Sequence, residues 1–250
     1  MLRVLTLNLW RDAGPWPARA ACIRAWLEQL DPDLIAFQEV GRAADVDLAR
    51  ELFHGRPHAL AFDDADNAIA ARWPILRTEM ALLPGKVDGD ARSALLCDVA
   101  SPHGTLLFFN THLDWGNARD EIRAGQVTAL SEFVQAQRAR SGFPPIIVGD
   151  FNAEPESDEV RRLTGRRTRW IDDWRAAGDG GPGFTCATRN VYARLTGEPD
   201  RRIDYIFVGE PGTDGRGGIE SCRIVCDDDR DGVWPSDHFG VYAELRTEPS

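Results

Sequence analysis

Pro145-Ile146-Ile147-Val148-Gly149-Asp150-Phe151-Asn152 is an apolar run that ends in a carboxylate and an amide. A short aliphatic stretch without polar alternation reads as a strand buried on both faces. It delivers Asp150 to its C-terminal end. Gly, Asp and Asn all favour turns, so this segment alone could be a plain turn after a strand. The same arrangement recurs along the chain, however. Asn8 lies near the end of an alternating strand, Arg3 to Leu9, with Leu5, Leu7 and Leu9 on one face and Val4, Thr6 and Asn8 on the other. Glu39 follows the apolar run Leu34–Phe37, and His112 follows Leu106–Phe109. Asp204 interrupts Ile203–Phe207, and Asp237-His238 precedes a final strand, Gly240–Leu245. In α/β sheets ligands gather where strands end and loops converge.

Between these points the text alternates strands with helices. Ile23, Trp26, Leu27 and Leu30 keep helical spacing, and Asp31-Pro32 stops that helix. A short helix is expected over Val46–Phe53. Strands are expected near Ala68–Ala71, Thr78–Leu83, Ala94–Ala100 and Leu106–Asn110, with a hairpin at Ser101-Pro102-His103-Gly104. Ile122, Val127, Leu130, Phe133 and Val134 mark a long amphipathic helix. A short helix follows Ser157, and strands follow at Ile203–Val208 and Ile219–Cys226. Gly-rich loops lie near Gly178–Gly183 and Gly209–Gly218. No shift of composition marks a linker, so one α/β domain over residues 1–250 is the economical reading.

Composition narrows the field without naming a function. Charged residues make up 28% and hydrophobic ones 43%, ordinary for a soluble globular protein. No apolar run approaches the length of a membrane span, and the N-terminus lacks a signal-peptide pattern. A cytoplasmic monomer is the expectation. Cys22, Cys97, Cys186, Cys222 and Cys226 are scattered; Cys222 and Cys226 are four apart, but no second pair or histidine completes a zinc site. Free buried thiols are expected. The net charge of −11 is unusual for a protein whose main partner is a long polyanion, although a local arginine patch can override it. All the basic residues except Lys86 are arginines.

The strand-end residues form an oxygen-rich set: three aspartates, a glutamate, two asparagines and two histidines. Such donors without cysteine suit Mg²⁺ or Mn²⁺ rather than structural zinc. Each has a plainer explanation. An asparagine at a strand end is usually a turn former, Glu39 could be a solvated loop residue, and a lone histidine is more often part of a core. Asp204 resists this, because a carboxylate within an apolar strand is costly to bury unpaired.

Taken in order, Thr6-Leu7-Asn8-Leu9-Trp10, Phe37-Gln38-Glu39-Val40, Asn110-Thr111-His112-Leu113-Asp114, Gly149-Asp150-Phe151-Asn152, Arg202-Ile203-Asp204-Tyr205-Ile206-Phe207 and Ser236-Asp237-His238 resemble the six signature blocks of the endonuclease/exonuclease/phosphatase superfamily. The resemblance spans residues 3–245. It implies a four-layer αββα sandwich of two mostly antiparallel sheets flanked by helices. It implies Glu39 as principal metal ligand, with Asn8 and Asp237 near the metal or phosphate. Asp150 would orient or deprotonate water, and Asn152 would hold a non-bridging oxygen. Asp204 would pair with His238 and favour its cationic form, and His112 would lie across the phosphorus. Asn67 to Arg72 and Pro74-Ile75 resemble a further block, with Asp66 where glycine is common. Arg92 is a candidate phosphate contact or else a surface charge, and Trp115 a candidate for stacking on a base, inserting into lipid, or mere packing.

Leu9-Trp10, Val40-Gly41 and the histidine block depart from the exonuclease III branch. They look closer to the deoxyribonuclease I and sphingomyelinase-like branches. The leading expectation is a Mg²⁺- or Mn²⁺-dependent phosphodiester hydrolase acting on nucleic acid by water attack on phosphorus. The alternative is a phosphodiesterase or phosphomonoesterase for a small molecule or lipid head group, which the net charge favours. A catalytically dead binding module is disfavoured because every expected position is filled. The loops Trp115–Arg119 and Gly178–Asp200, which would set the substrate, follow no readable pattern.

Overall fold

A computed structural model describes residues 1–41, 48–87, 90–116, 119–137, 143–165, 168–197 and 199–249. Its first half contains β1 (Leu2–Asn8), α1 (Trp16–Leu30), β2 (Leu34–Gln38), α2 (Leu48–Leu52), β3 (Ala59–Phe62), β4 (Asn67–Ala71), β5 (Ile75–Val87), β6 (Asp90–Ser101) and β7 (Gly104–His112). There follow α3 (Asp120–Gln137), β8 (Ile146–Asp150), α4 (Asp158–Thr164), β9 (Ile171–Asp172), α5 (Asp173–Ala177), α6 (Val191–Thr196), β10 (Asp204–Val208), β11 (Ile219–Val225) and β12 (Gly240–Leu245).

The strands form two six-stranded sheets, ordered β11-β12-β1-β2-β4-β3 and β5-β6-β7-β8-β10-β9. Each has one parallel pair, β1–β2 or β7–β8, and is otherwise antiparallel. A parallel pair needs a crossover, and α1 and α3 supply the two. Leu5, Leu7, Ile35 and Phe37 pack outward against Ile23 and Leu27 of α1 and Leu48 and Leu52 of α2. On the other sheet Leu107, Phe109, Ile147 and Phe207 pack against Val127 and Leu130 of α3 and Val160 and Leu163 of α4. Between the sheets lies a third core of Val4, Ala36, Ile69, Leu95, Phe108, Val148, Ile206 and Val241. The result is the expected αββα sandwich.

This middle layer changes character along its length. At one end it is aliphatic; toward the other, the same strand faces carry Thr6, Gln38, Asn67, Ser93 and Asn110. These are hydrogen-bonded across the gap rather than left dry. Gln38 Nε2 donates to Asn110 Oδ1 at 2.7 Å, Asn110 Nδ2 to the carbonyls of Phe37 and Ala68, and Asn67 Nδ2 to Ser93 Oγ at 3.0 Å. Burying polar groups is tolerable only when they are paired in this way. Beyond them, at the polar end, stand Asn8, His112 and Asp150.

Several expectations shift. The strand expected over Thr78–Leu83 extends over Ile75–Val87. β3 was not anticipated, because Ala59–Phe62 is too short to show alternation. The helix expected over Val46–Phe53 is described from Leu48 to Leu52; Val46 and Asp47 lie outside the described residues. Within Gly178–Asp200, expected to be loop, sits α6, with Asn190 Oδ1 accepting from Tyr192 N–H and Gly197 closing it at φ +79°. Asp204 does not interrupt its strand but begins it. All five cysteines are buried, and none is in a disulfide among the described residues. No described helix is long and apolar enough to cross a membrane.

Candidate active site

Topology gathers the strand-end residues. Asn8, His112 and Asp150 are the last residues of β1, β7 and β8, and Glu39 follows the end of β2. Antiparallel β10 begins where β8 ends, setting Asp204 opposite Asp150 in register. Antiparallel β12 likewise begins beside the end of β1, so Asp237 and His238 arrive at the same edge. A cleft of about 320 Å³ opens there, lined by Glu39, His112, Asp150, Asn152, Asp237 and His238, with Trp10 and Trp115. Asn8 and Asp204 lie beneath, fully buried.

Gly149 is what lets β8 run this close to β7. Its φ is +140°, and a Cβ there would stand 1.9 Å from the Thr111 carbonyl oxygen. Glu39 and Asn152 also adopt left-handed backbone, at φ +55° and +49°. Such strain in non-glycine residues persists only where surroundings enforce it, and it concentrates at functional sites.

Asp150 is the hub. Its Oδ1 accepts the Asn152 backbone N–H at 2.9 Å, and its Oδ2 accepts Asn8 Nδ2 at 3.0 Å. His112 Nε2 is 3.5 Å and His238 Nε2 3.9 Å from that same Oδ2. His238 Nδ1 reaches back to Asp204 Oδ2 at 2.9 Å. Arg92 Nη1 lies 2.9 Å from His112 Nδ1. A guanidinium can only donate, so this Nδ1 is the bare nitrogen and Nε2 carries the proton toward Asp150.

The sequence pattern of the Endonuclease/Exonuclease/phosphatase family matches residues 5–238. The chain belongs to that family. Members of the family hydrolyse phosphoester bonds. Among solved structures, D. rerio TDP2 complexed with a single-strand DNA product is 20% identical, with TM-score 0.83 over 98% of each chain. A functionally unknown conserved protein of Enterococcus faecalis is 22% identical, with TM-score 0.77 over 98% of this chain and 99% of that one. A family protein of Bacteroides thetaiotaomicron is 19% identical, with TM-score 0.78 over 98% and 94%. No curated protein matches.

In this member of the Endonuclease/Exonuclease/phosphatase family, the two histidines are driven to opposite states. Burial and Arg92 push the His112 pKa well below its ordinary value, leaving the ring neutral. Burial also opposes a charge on His238, but Asp204 and Asp150 outweigh it and push that pKa well up. Burial, with the Asp204 carboxylate adding to it, raises the Asp150 pKa. Asp237 is raised by burial, and Glu39 by burial and then by Asp237.

That last pair bears on a metal. Glu39 accepts only a 3.4 Å contact from Asn8 Nδ2, and Asp237 a 3.2 Å contact from Ser236 Oγ. Two strained-up carboxylates with such slight compensation fit a hard divalent cation, in accord with the family. Asp150, Asp204 and His238 also bring ligand atoms within 4.8 Å of one another. There Asp204 Oδ2 and His238 Nδ1 already bond each other, while Asp204 Oδ1 is a buried acceptor with no hydrogen-bond partner among the described residues.

Arg92 is not a surface charge: it is buried against His112. Trp115 is 59% exposed and lines the cleft. Asp66, where glycine is common in the family, has φ +79°, a conformation that glycine adopts without strain; its carboxylate meets Arg11 Nε at 3.1 Å. Two supporting residues escaped the sequence reading. Thr185 Oγ1 accepts the backbone N–H groups of Ile203 and Asp204, and Ser236 Oγ donates to the Asn8 carbonyl at 2.6 Å. Thr185 follows a Gly-rich segment with no motif to mark it, while Ser236 stands beside Asp237 with nothing in its residue type to set its role apart.

Proposed function

We propose that this chain is a divalent-metal-dependent phosphodiesterase that cleaves nucleic acid by attack of water on phosphorus. One observation carries the reading: a single carboxylate oxygen, Asp150 Oδ2, lies between His112 Nε2 at 3.5 Å and His238 Nε2 at 3.9 Å, the first ring pushed toward its neutral form and the second toward its cationic form. Asp150, with its raised proton affinity, orients water and takes its proton. His238, held by Asp204, presents an imidazolium to the negative phosphate. His112, with its proton on Nε2, donates toward charge growing on the leaving oxygen. Asn152 offers its amide to a non-bridging oxygen. Glu39, Asp237 and Asn8 would hold Mg²⁺ or Mn²⁺, which supplies positive charge to the phosphoryl group. Exposed Trp115 offers a face for stacking a base. Five buried cysteines outside any disulfide support a reducing compartment such as the cytoplasm.

The TDP2 complex with single-strand DNA supports nucleic acid as the substrate class, while the departures from the exonuclease III pattern speak against abasic-site repair. The net charge of −11 favours a second reading, the same chemistry on a small molecule or lipid head group. Chromogenic diester and monoester hydrolysis, with Mg²⁺, Mn²⁺ or EDTA, followed by plasmid and oligonucleotide digestion, separates them. Diester cleavage that stops in EDTA and in Glu39→Gln is expected. Full activity in chelator would overturn the proposal.

A further inference from the structure

Arg19 is a charged residue with no solvent exposure at all. It sits one turn into α1, yet among the described residues its guanidinium meets no carboxylate within hydrogen-bond distance. It donates instead to backbone carbonyls: Nη2 to Leu9, Nη1 to Arg11 at 3.2 Å and to Ala13 at 2.5 Å, and Nε to Pro235 at 3.2 Å. The rings of Trp10 and Trp16 lie 5.1 and 5.3 Å from it. A buried cation is costly, and carbonyl dipoles with two aromatic faces offset the loss of water.

The four carbonyls belong to two separate segments. Leu9, Arg11 and Ala13 form the connection from β1 to α1, immediately after Asn8. Its residues Trp10 and Arg11 are both left-handed, at φ +56° and +48°. The Trp10 N–H donates to Asn8 Oδ1 at 2.9 Å, and the Arg11 N–H to the Glu39 carbonyl at 3.1 Å. Pro235 heads the segment Ser236-Asp237-His238. One guanidinium therefore ties the segment that fixes Asn8 and Glu39 to the segment that carries Asp237 and His238.

We infer that Arg19 is a positioning residue that sets the spacing between these two segments, and so between Glu39 and Asp237 across the cleft. The inference rests on the reading of that cleft as a metal-dependent phosphodiesterase site. Arg19 does not line the cleft and acts only through the backbone it grips. A planar fork can reach both segments at once; an ammonium cannot.

The test uses full-length Arg19→Lys and Arg19→Met. Hydrogen exchange is expected to rise together in residues 9–13 and 234–238, while β7, β8 and β10 stay protected. Calorimetric Mn²⁺ affinity should fall by about 10–100-fold, as for loss of other outer partners of a metal site. The diester kcat should fall by about 10²-fold with a smaller change in KM, the scale of an ångström misplacement. Wild-type exchange in both segments, or loosening of 9–13 alone, would overturn the inference. So would failure of both variants to fold, since Arg19 would then be holding up the fold and not the spacing. Absence of Mn²⁺ binding by the wild type would instead sink the phosphodiesterase reading, and the exchange result would still decide the role of Arg19.

Discussion

Asp204 Oδ2 lies 2.9 Å from His238 Nδ1, and it does so across the gap between the sheets. Asp204 begins β10 of one sheet, whereas His238 leads into β12 of the other. Asp204→Asn keeps the shape and removes the charge that holds the imidazole cationic. Turnover should fall strongly, His238→Ala should cost a similar factor, and the double variant should be little worse than either. Asp150→Asn should cost about 10²–10⁴ in kcat. Fully additive losses at 204 and 238, measured with metal-saturated protein on a diester, would show that the two do not work as a unit.

Phe37 and His112 should separate stability from rate. Phe37 is fully buried against α1 and α2, so Phe37→Ala should destabilise by about 3–5 kcal/mol in denaturant unfolding. His112→Ala should slow diester hydrolysis with little loss of Tm. Unfolding of the His112 variant at unchanged specific activity would reverse that assignment.

Arg202 makes a bidentate pair with Asp172, at 2.8 and 2.7 Å, both side chains almost fully buried. Arg202→Met would leave the Asp172 charge with the half-exposed Arg175 Nε, 3.8 Å away, as its remaining cationic partner among the described residues, at a cost of up to about 3–5 kcal/mol. Urea midpoints of the wild type and the variant test this, and equal midpoints would mean that the pair contributes no net stability.

Asp173 is fully buried at the start of α5, accepts from Cys222 Sγ at 3.0 Å, and has its pKa pushed up to about 7, chiefly by burial. In the unfolded chain it titrates near 3.9. The folded state therefore holds this proton more tightly, and the associated stability is present at acid pH and lost as pH rises through about 7. Relative to Asp173→Asn, the wild type should lose stability from about pH 4 to about pH 7 and level off above that. A constant difference over that range would show that Asp173 is ionised throughout.

The sequence carried the strands and their ends because the two signals coincide. The alternation of Val4-Thr6-Asn8 against Leu5-Leu7-Leu9 separates the inter-sheet face from the helix face, and the polar member of each run marks the edge where the site forms. α6 was illegible because its six residues have no apolar stripe; only Asn190 and Gly197, its caps, could have marked it. Asp204 begins its strand rather than interrupting it because a strand's end is set by backbone pairing, which side-chain type marks only to within a residue or two. Arg19 carries a readable signal of its own. It lies four residues before Ile23, on the same stripe as Leu27 and Leu30, and a charge on a buried stripe needs a reason.

The central position of β1 also bears on how the chain comes to be folded. Its neighbours are β2, from nearby in the chain, and β12, from the far end. Asn8 meets Asp150 across 142 residues and Ser236 across 228. Contacts of such separation give a high contact order, and high contact order slows folding, because loop-closure entropy is lost before native pairing offsets it. Until β12 arrives, β1 presents an open edge of unpaired backbone groups in an apolar setting, the geometry that invites pairing with another chain. Aggregation during refolding should therefore depend on how soon the residues after Pro235 dock. A synthetic peptide spanning β12, added in trans, should suppress it.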